Sequence, residues 1–288
     1  MMDSPENPGW PKQTLADKIE FNLQRKVLKV DRRRVLTGGV LTACAVSIEA
    51  KGLAQETEKP SPGPAGYSYT LPNLPVGSRL LFQGDSITDM KWGRNEKDRN
   101  HYLGHSYVYL IASRLGVDLS TAKLECFNRG MSGHTVSDLK SRWQRDSIEM
   151  KPDLLSVLIG VNDVGRSIGK GVPLESWEKN YRFLIESSRQ ANSKLRLVLL
   201  DPFVLSSGRL KNEKSWSLWR NQTEKLGEIV GRIAGDYDAV HIKTQDIFDS
   251  ALDLAPADHW IWDGVHPLPQ GHELIARNWI EAVSLRWP

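Results

Sequence analysis

Apolar and polar positions change their spacing in a regular way along residues 79–285. Short runs that are almost wholly apolar alternate with longer stretches in which apolar residues recur every three or four positions. Wholly apolar runs are typical of strands that are buried on both faces. The predicted strands cover residues 80–82, 124–127, 154–159, 195–200 and 239–242.

The stretches between these runs predict amphipathic helices. One helix begins near Tyr107 and is expected to end at Gly116, and a second begins at Thr135, where Asp138 completes a variant capping box. Three more are predicted over residues 177–189, 216–233 and 270–285. Strands that alternate with helices favour a parallel sheet covered on both faces. The pattern therefore predicts one α/β domain over residues 79–288, with no internal repeat.

Residues 1–54 differ from this pattern and are predicted to be an export signal region. The arginines at positions 32–34 precede an apolar stretch over 35–48, which is too short to span a bilayer but suits an export signal. Paired arginines followed by two apolar residues resemble a twin-arginine signal. Cleavage after Ala54 is favoured over lipid attachment at Cys44, and a buried helix or a misassigned start is the alternative. We therefore expect an exported protein, periplasmic or extracellular, that touches a membrane only if Cys44 is lipidated.

The rest of the chain is electrically neutral. The first 54 residues hold 9 Lys+Arg and 6 Asp+Glu of the totals of 38 and 35, so residues 55–288 carry 29 of each. A neutral chain without a basic run lacks the electrostatic footprint of a nucleic-acid-binding protein, so we exclude that class of partner.

Either processing route leaves Cys126 without an intramolecular partner for a disulfide. Residues 55–78 are rich in Pro, Gly and polar residues and are predicted to be a linker.

A serine, Ser86, follows the first predicted strand in the segment Gly84-Asp85-Ser86. The carboxyl ends of parallel strands form the usual crevice for chemistry in open α/β sheets. Polar segments also occur near the ends of later strands and before the last helix, and they contain Gly130, Gly133, Asn162, Asp263 and His266. Each segment alone is typical of an ordinary turn or a helix cap. Together they supply a nucleophile, a base and hydrogen-bond donors at one edge of the sheet, which acyl transfer requires.

In this order the segments Gly-Asp-Ser, Gly, Gly-x-Asn-Asp and Asp-x-x-His resemble the SGNH or GDSL hydrolase family over residues 79–285. The resemblance implies a three-layer α/β/α sandwich with a mostly parallel, flavodoxin-like sheet. It implies that Ser86 is the nucleophile, that His266 is the general base and then acid, and that Asp263 orients His266. The backbone N–H groups of Ser86 and Gly133 would form the oxyanion hole with the side chain of Asn162. This chemistry needs no cofactor and no metal.

Longer strings around these residues resemble those of bacterial acetylxylan esterases within the family. This implies a serine esterase that removes short acyl groups from carbohydrates such as acetylated xylan. Trp260 and Trp262 are candidates for stacking on a sugar, although burial in the core would also explain them. His134 and Arg166 are candidates for contact with substrate, although an exposed loop position would also explain His134 and loop capping would explain Arg166. Residues 94–99 add a charged loop that departs from the family pattern and whose role the sequence does not give.

Two other functions stay open. A lipid-directed esterase, lysophospholipase or thioesterase would share every catalytic residue, and an exported binding module on the same fold would be catalytically silent. A long acyl chain needs a long apolar groove, whereas an acetyl group needs only a small pocket. The sequence does not give the oligomeric state, so a homo-oligomer also stays open.

Overall fold

The computed structural model describes residues 70–95 and 97–288. Its centre is a sheet of five strands in which every neighbouring pair is parallel. The strands are β1 (Arg79–Gly84), β2 (Glu125–Asn128), β3 (Leu154–Leu158), β4 (Arg196–Leu200) and β5 (Val240–Ile242), in the spatial order β2-β1-β3-β4-β5. This is the flavodoxin-like order of a doubly wound sheet, so the predicted fold class is confirmed.

Helices cover both faces of the sheet. In chain order they are α1 (Ser86–Asp89), α2 (Tyr107–Asp118), α3 (Val136–Trp143), α4 (Val161–Arg166), α5 (Leu174–Ala191), α6 (Glu213–Asp236), α7 (Thr244–Ala251), α8 (Ala257–Trp260) and α9 (Pro269–Arg286). Two short 3-10 helices (Ser120–Ala122 and Gly208–Leu210) and a π-helical turn after α3 (Gln144–Ile148) complete the regular elements of the described ranges. Apolar side chains of α2, α7 and α9 form one core cluster with the sheet, and those of α3, α5 and α6 form the other.

Side chains of the strands alternate between the two helical layers. Leu80 and Phe82 of β1 join the core beneath α2 and α9, whereas Leu81 joins the core beneath α3 and α5. Because successive side chains of a strand point to opposite faces, a strand covered on both sides favours apolar residues at consecutive positions. This is the reason that the strand segments are almost wholly apolar in the sequence.

Helix α2 is longer than the sequence pattern predicts, since it continues through Gly116 to Asp118. Open space surrounds Gly116, and the buried positions Tyr107, Ile111 and Leu115 anchor the helix before that residue. A glycine in a helix interior costs about 1 kcal/mol relative to alanine, which is too little to end a helix that is packed along its length. The capping box at Thr135 and Asp138 is confirmed, because each side chain accepts the backbone N–H of the other residue.

The predicted linker overlaps the described residues at positions 70–78. There Leu74 is buried, the N–H of Asn73 donates to the carbonyl of Trp287 (2.7 Å), and that of Gly77 donates to the carbonyl of Ala122 (2.8 Å). These residues therefore pack against the domain. The predictions for the signal region, Cys44 and Ala54 lie outside the described residues. Within the described ranges no helix combines the length and apolar character needed to cross a membrane.

Candidate active site

Ser86 lies on the turn between β1 and α1. Asp85 caps α1, because its Oδ1 accepts the N–H of Ile87 at 3.0 Å. The cap holds the first turn of a helix only four residues long, and it places the half-buried Ser86 at the carboxyl edge of the central strand. Ser86 Oγ lies 2.8 Å from His266 Nε2.

Asp263 holds His266 in place through both carboxylate oxygens. Its Oδ2 accepts the N–H of His266 Nδ1 at 2.8 Å, and its Oδ1 accepts the backbone N–H groups of His266 (2.8 Å) and Val265 (3.0 Å). Burial acts to raise the pKa of the Asp263 carboxyl, but these hydrogen bonds outweigh burial and hold its pKa below the ordinary value. Because Nδ1 donates to the carboxylate, the neutral ring presents the lone pair of Nε2 to the Ser86 hydroxyl.

The loop after β2 brings Gly133 to the same edge of the sheet. The N–H of Met131 donates to the carbonyl of Gly84 at 3.1 Å, so this loop is hydrogen-bonded to the end of β1. Gly133 has a positive φ of 81°, and an added Cβ there would meet open space. The backbone N–H groups of Ser86 and Gly133 find no acceptor within the described part of the chain, so both can donate to a ligand.

Asn162 follows β3, the neighbour of β1 on its other side. It lies in the first turn of α4, and its Nδ2 donates to the carbonyl of His134 at 3.0 Å. An amide group has two N–H donors, so this bond fixes the carboxamide and leaves its second N–H free. The structure thus places Ser86, Gly133 and Asn162 after the carboxyl ends of the adjacent strands β1, β2 and β3, in that order.

Asp89 is a residue of the site that sequence reasoning did not assign. Its buried Oδ2 accepts the N–H of Ser132 (2.9 Å), the hydroxyl of Ser132 (2.6 Å) and Nη2 of Arg94 (2.7 Å). Burial opposes ionisation, but these partners lower the pKa of Asp89. Gly130 lies so close that an added Cβ would overlap the backbone nitrogen of Asp89. Asp89 therefore binds the loop over residues 129–134, which contains Gly133, to helix α1, which begins with Ser86. The position of an acid three residues after Ser86 was the sequence feature that could have identified it.

Arg94, the first residue of the charged loop predicted over residues 94–99, supports this contact between Asp89 and the Gly133 loop. The guanidinium of Arg94 binds Asp89 and lies 4.4 Å above the ring of Trp92, whose Nε1 donates to the carbonyl of Gly130 at 2.8 Å. The Arg129 guanidinium lies 5.1 Å from the same ring. Arg94 therefore stabilises the backbone of the Gly133 loop from the outside.

Asp85 and Asp163 are buried acids that adjoin Ser86 and Asn162 in the chain. The two oxygens of Asp163 lie 3.3 and 3.2 Å from the N–H of Val136, at the beginning of α3. Burial raises the pKa of each carboxyl to about 7, and the negative charge of Asp163 adds to the rise at Asp85.

The candidates for substrate contact have different environments. Trp262 is 62% exposed beside Asp263, whereas Trp260 is 7% exposed. The indole N–H of Trp260 lies 3.1 Å from the carbonyls of Ala251 and Ala255. The ring of Trp260 therefore packs into the core, which fits burial better than stacking on a sugar, while Trp262 stays a candidate for that contact. Arg166 donates from Nη2 to the carbonyl of Gly133 at 2.7 Å, which fits loop capping.

Known proteins resemble this chain in sequence and in fold. The model of the GDSL-like lipase/acylhydrolase family matches residues 82–274. The chain belongs to this family. An acetylxylan esterase from Geobacillus stearothermophilus is 32% identical over 218 residues, which cover 73% of this chain and 96% of that protein. A crystal structure of an acetylxylan esterase from the same organism has a TM-score of 0.65 at 31% identity, covering 74% of this chain and 97% of that one.

A third relative is YqeF, an uncharacterized lipoprotein from Bacillus subtilis (strain 168). It is 30% identical over 129 residues, which cover 44% of this chain and 49% of that protein. The family membership and the esterase relatives identify this protein as a carboxylic ester hydrolase. The predicted resemblance to SGNH hydrolases, and to acetylxylan esterases among them, is confirmed.

Proposed function

We propose that this protein is a serine esterase that removes acetyl groups from carbohydrates such as acetylated xylan. The observation that carries the proposal is the hydrogen-bonded series Ser86, His266 and Asp263, with 2.8 Å between side-chain atoms at each step, next to the open backbone at Gly133. The similarity to an acetylxylan esterase and the exposed ring of Trp262 beside Asp263 support a carbohydrate as the alcohol part.

In the proposed reaction, Ser86 Oγ attacks the ester carbonyl while His266 Nε2 takes the hydroxyl proton. The imidazolium that forms is stabilised by the Asp263 carboxylate. The tetrahedral intermediate then collapses, His266 returns the proton to the departing sugar oxygen, and an acetyl-enzyme remains on Ser86. Water attacks this acyl-enzyme with His266 again as the base, which releases acetate and restores the serine.

The negative charge of each tetrahedral intermediate lies on the former carbonyl oxygen. The N–H groups of Ser86 and Gly133 and the free N–H of Asn162 would donate to it. Fixed donors are most effective when they need no rearrangement as the charge develops. The Asn162 bond to His134 and the Asp89 bonds to Ser132 provide that fixation before substrate arrives.

Replacement of Asn162 by alanine is expected to lower kcat by about 100- to 1000-fold and to change KM much less, because its donor serves the oxyanion more than the ground-state ester. Steady-state kinetics on phenyl acetate would measure this. The matched control is Asn192→Ala, which removes an amide donor to the carbonyl of Pro152 (3.1 Å) beyond α5 and should leave kcat unchanged. A raised KM with unchanged kcat would make Asn162 a ground-state binding residue instead.

The acyl chain length separates the carbohydrate esterase from a lipid-directed one. For the proposed acetylesterase we expect kcat/KM on p-nitrophenyl esters to fall steeply from acetate to butyrate and octanoate. A groove that buries the chain would gain about 0.8 kcal/mol, or roughly fourfold in binding, for each methylene. Activity that rises along the series, with none on acetylated xylan, would overturn the carbohydrate proposal. A lack of hydrolysis of every ester would favour the silent binding module.

We also propose that the protein is exported. The arginines at positions 32–34, the apolar stretch that follows them and the lipoprotein among the relatives support export. Fractionation of the native cells would test this, and recovery of the intact chain in the cytoplasm would contradict it.

A further inference from the structure

Arg142 of α3 is a buried arginine beneath the end of β1. Its side chain is 6% exposed. Nη1 donates to Oε1 of Gln83 (2.9 Å) and to Oδ2 of Asp146 (3.3 Å), and Nη2 donates to the carbonyl of Gly84 (3.4 Å). Gly84 is two residues before Ser86, so the guanidinium lies directly behind the turn that carries the serine.

The Nε–H group of Arg142 fixes the ring of His134. Arg142 Nε lies 3.2 Å from His134 Nδ1. A guanidinium has only donors, so Nδ1 must offer a lone pair and the neutral ring must carry its proton on Nε2. Protonation of Nδ1 would place two donors against each other. Burial and the positive charges of Arg142 and Arg166 lower the pKa of His134, and the negative charges of Asp138 and Asp146 oppose them without reversing the shift.

The Nε2–H group of His134 is free to bind a ligand. The two ring nitrogens point in different directions, so a ring whose Nδ1 faces the buried Arg142 turns Nε2 away from it. Nε2 has no acceptor among the residues that the structure describes. His134 directly follows Gly133, where the backbone borders open space, and its own carbonyl accepts the Asn162 side chain. A fixed and uncharged N–H donor therefore lies beside two of the proposed oxyanion donors.

We propose that His134 donates its Nε2–H to an oxygen of the alcohol part of the ester, and that Arg142 is the positioning residue that keeps His134 in the tautomer able to donate. The inference rests on the proposed function, since it adds a contact to the same site. The carbonyl oxygen already has three donors in that proposal, and an acetyl group offers no other acceptor. In a sugar ester the acceptors that remain are the bridging ester oxygen, the ring oxygen of the sugar and its hydroxyls. A fatty acyl chain adds no hydrogen-bond acceptor.

Two substitutions of His134 in the full chain test the contact. His134→Leu removes the donor, and His134→Gln keeps an N–H that can reach a similar position. On an acetylated xylooligosaccharide we expect His134→Leu to lower kcat/KM about tenfold more than it does on phenyl acetate, whose alcohol part has only the bridging oxygen. His134→Gln should recover most of the difference. Equal losses on the two substrates, or no recovery with glutamine, would overturn the contact.

Arg142→Met tests the positioning role through the ring itself. Nuclear magnetic resonance of the His134 imidazole nitrogens should show one tautomer, with the proton on Nε2, in the unmodified protein. In Arg142→Met we expect both tautomers and a higher pKa of His134. The buried carboxylate of Asp146 keeps a cationic partner in this variant, because Arg145 still binds it at 2.7 and 2.9 Å, and circular dichroism would check that the fold is kept.

Arg145→Met is the matched control for Arg142→Met. It removes the exposed partner of the same Asp146 carboxylate and should leave the His134 tautomer unchanged. An identical tautomer and pKa in the parent and in Arg142→Met would overturn the positioning role. Hydrolysis of phenyl acetate without any hydrolysis of the xylooligosaccharide by the unmodified protein would overturn the proposed function and the sugar contact, and the resonance experiment would then decide the Arg142 assignment alone.

Discussion

Replacement of Ser86 by alanine is expected to lower kcat for ester hydrolysis by about 10⁴-fold or more, the size of loss seen when other serine hydrolases lose their nucleophile. The hydroxyl is the group that bonds to His266 Nε2, so its loss removes the acyl acceptor. The backbone N–H of residue 86 is kept, and Asp85 still caps α1. The fold and the hydrogen-bond donors should therefore survive the change, and binding of substrate should change little.

The control for this variant is Ser187→Ala. Ser187 is partly exposed on α5, where its hydroxyl donates to the carbonyl of Phe183 (2.7 Å), so the same chemical change is made away from the site. Kinetics on phenyl acetate and circular dichroism of both variants would be compared with the parent. Retention of more than a tenth of the activity by Ser86→Ala, with an unchanged spectrum, would show that another residue is the nucleophile.

The strands and the motif residues could be predicted from the sequence because the information for each is local. A strand buried on both faces is mostly apolar, so β3 and β4 are visible as nearly continuous apolar runs. Ser86, Asn162 and His266 stand at strand ends or in the last loop, and parallel strands bring such ends to one edge. The strand order and the pairing between Ser86 and His266, which are 180 positions apart, follow from the fold and agree with the family resemblance.

The parts of the site that were not predicted depend on contacts between distant segments. Arg142 is one of several charged residues on an amphipathic helix, and only the packing of α3 against β1 shows that its guanidinium is buried. Trp260 and Trp262 are two positions apart and similar in character, yet α8 buries one ring and leaves the other exposed. Local propensity does not encode such differences, because they are set by tertiary packing.

Replacement of Asp263 by asparagine is expected to lower kcat by about 10⁴-fold, as in other serine hydrolases whose triad carboxylate is changed to an amide. Oδ1 of Asp263 accepts two backbone N–H groups and Oδ2 accepts the ring N–H of His266. An asparagine must keep its oxygen toward the two backbone donors, so its NH₂ group faces Nδ1. The neutral ring then moves its proton to Nε2, and Nε2 can no longer accept the proton of Ser86.

Kinetics on phenyl acetate would measure the loss, and the ring nitrogens of His266 would report the tautomer by nuclear magnetic resonance. The control is Asp258→Asn on α8, which breaks an exposed ion pair with Lys211 (2.6 Å) and should leave both measurements unchanged. A tautomer that moves to Nε2 together with a 10⁴-fold loss would assign the orienting role to Asp263. Retention of more than about 1% of kcat in Asp263→Asn would contradict that role, since a ring in the wrong tautomer has no lone pair with which to activate the serine.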